Sequence, residues 1–145
     1  MPKMLFVNLP VADVARATAF YTAIGFTKDE RLSNDQGSAM TWSDTISVML
    51  LSHQLYDSFM PHKAIADTSK VSEMILCLSF DSREAVDAVV ERAVAAGSKG
   101  DVNEPDDHGY MYGRSFEDLD GHSFGPFFMD MEAAMAAMSA EPQAA

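Results

Sequence analysis

Phe116-Glu117-Asp118-Leu119-Asp120-Gly121-His122-Ser123-Phe124-Gly125-Pro126-Phe127 is the stretch that decides the fold. Asp-Leu-Asp-Gly is a turn signal set between two aromatic-rich runs, so the segment reads as the tip of a β-hairpin. Its flanks extend into strand candidates at Gly109–Glu117 and His122–Met129, with another at Lys99–Asn103. Before them comes a strand over Glu73–Phe80. A helix follows it, capped by Asp81 or Ser82 and carrying Ala85, Val86, Val89, Val90 and Val94 as far as Ala96-Gly97.

The same order occurs earlier in the chain. Met4–Val11 is a short apolar run suited to a strand, and Asp13 caps a helix in which Val14, Ala17, Thr18, Tyr21 and Ile24 recur at helical spacing. Gly25 ends that helix. Strands then read at Phe26–Leu32, Ser38–Ser43 and Ser47–Ser52, separated by Asn34-Asp35-Gln36-Gly37 and Asp44. The stretch from His53 to Lys70, polar and broken by Pro61, reads as a linker or lid-like loop. Each half is thus β-α-β-β-β. Neither half covers its own sheet, so an α+β fold is expected in which two such modules form a curved mixed sheet around a cleft, helices outside. Residues 1–130 make one domain: module one 3–52, loop 53–71, module two 72–130. Residues 131–145 are a C-terminal helix, with Met131, Met135 and Met138 on one stripe, and a tail expected to fray after Ser139.

At 145 residues the chain is long enough to form a core without disulfides, and its single cysteine, Cys77, allows no intrachain bridge. The N-terminus has no apolar run of signal-peptide length, and no stretch approaches a membrane span, so a cytoplasmic location is expected. A net charge of −12 would repel a nucleic-acid backbone.

Strand parity assigns faces, because alternate side chains point to opposite sides. Leu5, Val7, Leu9 and Val11 form an aliphatic face suited to the helix, leaving Phe6 and Asn8 for the cleft. In the fifth strand Met74, Leu76, Leu78 and Phe80 are the core set, while Ile75, Cys77 and Ser79 face the cleft. His122, Phe124, Pro126 and Phe128 alternate with Ser123, Gly125 and Phe127 in the last.

The hairpin motif, together with Val11-Ala12-Asp13 and Phe20-Tyr21 ahead of Gly25-Phe26, resembles the vicinal oxygen chelate superfamily. That superfamily holds glyoxalases, extradiol dioxygenases, fosfomycin-resistance enzymes and bleomycin-resistance proteins. The resemblance covers about residues 3 to 130 and implies the paired-module layout and a homodimer. It also implies where metal ligands would lie: at Phe6, near Met49–Leu51, at Ile75 (Met74 if the register slips by one) and at Gly125, where metal-using members carry Glu. None of these residues binds a divalent metal in the usual nitrogen–oxygen site, which needs several ligands around one point. No metal or other cofactor is therefore expected.

Four histidines remain. His53 and His62 flank the mid-chain loop, His108 adjoins Asp106 and Asp107, and His122 follows the turn. His53, His62 and His108 are weak alternatives for a relocated metal site, the ordinary reading of each being a surface histidine. Phe6, Asn8, Trp42, Tyr56, Phe59, Ser79, Tyr112, Arg114 and Phe127 are the candidates to line a ligand cleft. Arg114, which shares a face with Tyr110 and Tyr112, can hold an anionic or amide-bearing ligand or pair with an acid on the outer surface. Glu117 is a general base only if it faces the cleft. The favoured expectation is a bleomycin-resistance-like protein that binds a small organic molecule in an apolar, aromatic cleft without metal. The alternative is a metal-dependent lyase or dioxygenase-like enzyme with relocated ligands. No catalytic residue is assigned.

Overall fold

The computed structural model describes residues 2–140. Its fold is α+β, with four helices and mixed sheets. The chain divides into two units. One takes the chain up to Glu73 together with Asp118–Gly121; the other takes Met74–Glu117 and the chain from His122 onward.

In the first unit β1 (Leu5–Val11) runs into helix α1 (Val14–Ala23), then β2 (Thr27–Asn34), β3 (Gly37–Thr41) and β4 (Ile46–Ser52). Asp13 caps α1 by accepting from Arg16 N at 3.0 Å, and Gly25 turns the chain out at φ +111°. The strands form one sheet in the order β1-β4-β3-β2, with β1 parallel to β4 and the other pairs antiparallel. Ala17, Phe20 and Tyr21 of α1 are buried with Ile24 and Phe26, as are Leu9, Val11, Met40, Val48 and Leu50 of the sheet. Burying each large apolar side chain contributes about 1.5–3 kcal/mol. Parity holds in β1 from Leu9 onward. Leu5, expected in the core, is 57% exposed, because it lies at the open start of the strand.

The loop expected from His53 begins instead with helix α2 (His53–Phe59). Ser52 starts it by accepting from Leu55 N at 3.1 Å, and its hydroxyl donates to Gln36 Oε1 at 2.7 Å. So short a helix depends on that cap and on neighbouring strands.

The second unit is more broken than its sequence suggests. The strand expected over Glu73–Phe80 contracts to β5 (Ile75–Leu76), with a single bridge from Ser79 to Phe127. Helix α3 (Arg83–Ala95) is capped by Ser82 and buries Val86, Val89, Val90 and Ala93. Lys99–Asn103 makes only a bridge, Gly100 to Phe116, while β6 (Asp106–Asp107) forms where no strand was expected. Gly109–Glu117 divides into β7 (Met111–Gly113) and β8 (Phe116–Glu117), and His122–Met129 into β9 (Ser123–Phe124) and β10 (Phe127–Met129). Arg114-Ser115 and Gly125-Pro126 occupy the breaks, where each strand passes from one three-stranded sheet, β10-β7-β6, to another, β5-β9-β8. The hairpin expected at Asp118–Gly121 forms between β8 and β9, with Phe116 opposite Phe124 and Glu117 opposite Ser123. Helix α4 (Met131–Ala140) leaves Met131, Met135 and Met138 exposed and buries Ala134. The tail expected to fray after Ser139 is still helical at Ala140, and residues 141–145 lie outside the described residues.

Candidate functional site

Parity and register together build a cleft on one face of the first unit's sheet. Asn8 of β1 lies beside Met49 of β4, which in turn lies beside Ala39 of β3; Leu51 lies beside Gly37. Phe6, Asn8, Met49 and Leu51 therefore share a face with Gly37. A side chain at Gly37 would meet Leu51 at 3.1 Å and Leu55 of α2 at 3.4 Å, so the glycine lets the helix settle onto the sheet. Leu32 and Asn34 of β2, with Leu55 and Phe59 of α2, complete the walls. The groove offers about 470 Å³, within the range of small-molecule pockets. Phe6 and Phe59 remain 43% and 61% exposed, which puts apolar surface at the mouth of a concave site.

None of the lining side chains is ionisable. Two are polar, and they differ. Asn34 Oδ1 accepts from Gln36 N at 2.8 Å and from Gly37 N at 3.1 Å, so its carbonyl holds the β2–β3 turn. The exposed amide of Asn8 has no hydrogen-bond partner among the described residues.

The positions where the resemblance places metal ligands hold a ring, a thioether and aliphatic carbon. Phe6 and Met49 line the cleft. In the second unit Gly125 N donates to Leu76 O at 2.9 Å, and a Cβ at Gly125 would lie 3.1 Å from Cys77 Sγ and 3.5 Å from Ile75 Cγ2. Of the two side chains that a Cβ at Gly125 would meet, only the exposed Cys77 thiol could donate to a metal. A divalent ion needs several ligands around a point, and these residues do not fit one. Among the described residues no three His, Cys, Asp or Glu side chains are gathered to hold a metal. His53 is exposed at the start of α2 and His62 in the turn beyond it. His108 Nε2 lies 2.9 Å from Asp106 Oδ1, with its ring stacked near Tyr110.

Arg114 and Tyr112 sit in a polar network of the second unit. Arg114 donates from Nε and Nη2 to Asp101, at 3.0 and 2.7 Å, and from Nη1 to Asp87 at 3.0 Å. Tyr112 Oη donates to the same Asp87 oxygen at 2.6 Å. Arg83 lies over the Tyr112 ring and makes two 2.8 Å bonds to Asp107. The bonds from Arg114 hold the Asp101 carboxyl below the usual carboxylate range, and those from Arg83 do the same for Asp107. Hydrogen bonding to Asp87 pushes the Tyr112 phenol up. Each guanidinium already faces carboxylate oxygens, so the network is a brace between α3 and β7 rather than an open anion site.

The other candidates are dispersed. Trp42 packs against Phe26 at 5.0 Å between ring centroids, and Tyr56 is half-buried on α2. Ser79 and Phe127 form a backbone bridge in the second unit. Of the residues expected in a cleft, the first-unit pocket brings together Phe6, Asn8 and Phe59. Sequence reasoning passed over Leu32, Asn34, Gly37 and Leu55. Extending the parity argument across the β2–β3 hairpin would have found the first three.

The motifs that carried the resemblance meet in the first unit. Tyr21 Oη donates to the buried Asp118 carboxylate at 2.7 Å, and Ala12 N donates to Asp120 Oδ1 at 2.9 Å. Thr68 Oγ1 donates to the Asp120 carbonyl. Burial and the neighbouring Asp118 push the Tyr21 phenol well above its usual value. The turn is a clasp for the β1–α1 junction.

Residues 3–34 match the bleomycin resistance protein-like N-terminal family. A solved structure of a hypothetical protein from S. aureus is similar at TM-score 0.74 and 26% identity, covering 88% of this chain and 95% of that one. A glyoxalase/bleomycin resistance protein/dioxygenase family enzyme from Burkholderia phytofirmans PsJN is similar at 0.73 and 20%, covering 88% and 99%. The fosfomycin resistance protein FosX from Mesorhizobium loti shares the fold at 0.65 and 13%, covering 93% and 98%. No curated protein sequence matches the chain.

Proposed function

We propose that the chain, which resembles the vicinal oxygen chelate superfamily in its motifs and fold, binds a small organic molecule in the apolar cleft of its first unit, without the superfamily's metal. One observation carries the reading. The cleft offers a ring and a thioether, at Phe6 and Met49, where metal-using relatives need donors. Apolar walls with a few placed polar groups are what small-molecule recognition uses. Neighbours described as bleomycin- or fosfomycin-resistance proteins support the reading at the level of the fold.

The test is a titration of chelator-stripped protein with the neutral, environment-sensitive dye Nile red, alone and after adding Ni, Co, Zn, Mn or Fe(II). Saturable binding that the metals leave unchanged is expected, and Phe59→Ala should weaken it. Tight stoichiometric metal uptake that creates the binding would overturn the metal-free reading and turn attention to His53, His62 and His108.

A further inference from the structure

Building on the reading of the cleft as a binding site, we propose that it selects uncharged molecules presenting a carboxamide-type edge, and that Asn8 is the residue that reads it. The cleft has no ionisable wall. A carboxylate or ammonium entering it would lose water and meet no opposite charge, which is unfavourable in apolar surroundings. The chain's net charge of −12 adds long-range repulsion for an anion. A cation is attracted to the molecule as a whole but finds no carboxylate inside.

The two amides in the cleft narrow the choice further. Asn34's carbonyl oxygen already accepts two backbone N–H groups, so only its NH₂ is left to donate. Asn8 keeps both its oxygen and its NH₂ free beside Phe6 and Met49. A side-chain amide pairs best with a group that offers a donor and an acceptor side by side: a primary or secondary carboxamide, a lactam or an imide. The apolar remainder of such a molecule would lie against Phe6, Met49 and Phe59, where a thioether adapts to irregular shape.

The experiment uses three naphthalene probes of one shape, 2-naphthamide, 2-naphthoate and 2-naphthylmethylammonium, with Nile red as reference. Binding to the metal-stripped full chain is followed by calorimetry at neutral pH. The amide should bind about tenfold more tightly than either charged probe, the factor that one well-made polar contact supplies. Asn8→Asp keeps the shape and adds a charge, so it should reverse the order in favour of the ammonium probe. A charged probe binding as well as the amide, or an order left unchanged by Asn8→Asp, would overturn the inference while Nile red binding keeps the cleft reading. Failure of Nile red and all three probes would overturn both.

Discussion

Tyr21 and Asp118 are 97 positions apart and form one buried hydrogen bond. Replacing Tyr21 by Phe removes the donor and leaves a buried carboxylate short of a partner, a loss of about 1–3 kcal/mol. Urea unfolding of Tyr21→Phe should show it as a lower midpoint at unchanged slope. The phenol's folded value is raised, so its contribution is full below the unfolded value near pH 10 and is lost as pH rises toward the folded one. Wild type should therefore lose stability in alkali more steeply than Tyr21→Phe. Gly121 adopts φ +89°, and a Cβ there would lie 2.9 Å from the Thr68 carbonyl oxygen. Gly121→Ala should cost about 1–3 kcal/mol by the same measurement, through both the backbone and the contact. The sequence made the turn legible, since Asp-Leu-Asp-Gly has turn chemistry of its own. It did not reveal that Asp118 and Asp120 reach back to Tyr21 and Ala12, because such pairings depend on the completed fold.

Among the elements, β1, α1 and the three following strands were readable because each has its own period, cap or turn. The second unit was less so. Gly125-Pro126 and Arg114-Ser115 interrupt runs that look continuous by composition, and β6 consists of two aspartates, a residue type depleted in strands. That strand is held by pairing with β7 and by the bonds from Arg83 to Asp107. The arginine brace gives a pH prediction. The folded carboxyl of Asp101 lies below its ordinary value, so the stabilisation is present above the unfolded value near pH 4 and is lost as pH falls through the folded one. Arg114→Ala should therefore lower stability by about 1 kcal/mol at neutral pH, a figure already discounted for solvent screening. The gap from wild type should close in acid. Thermal unfolding across that range checks it, and a gap that widened toward low pH would contradict the assignment.

For the whole molecule, fold and cleft were legible to different degrees. The repeated β-α-β-β-β order and the motif positions pointed to the fold that the solved neighbours share, and parity in β1 placed Phe6 and Asn8 on the cleft face. The closing walls were legible only in part: parity carried across the β2–β3 hairpin reaches Leu32, Asn34 and Gly37, whereas Leu55 lies in a helix too short and polar to be read from the sequence. With no ionisable wall, affinity for a neutral ligand should stay level across about pH 5 to 9, where an imidazole in the site would make it vary. The central claim is that a small molecule binds on the first unit's sheet without metal. It is tested most directly by following backbone and Asn side-chain amide signals of isotope-labelled, chelator-stripped protein by NMR during titration with 2-naphthamide. The account predicts saturable shifts concentrated at the Asn8 side-chain amide, Gly37, Leu51 and Phe59. Shifts centred on Tyr112 and Arg114, or shifts that arise only after a divalent metal is added, would contradict it.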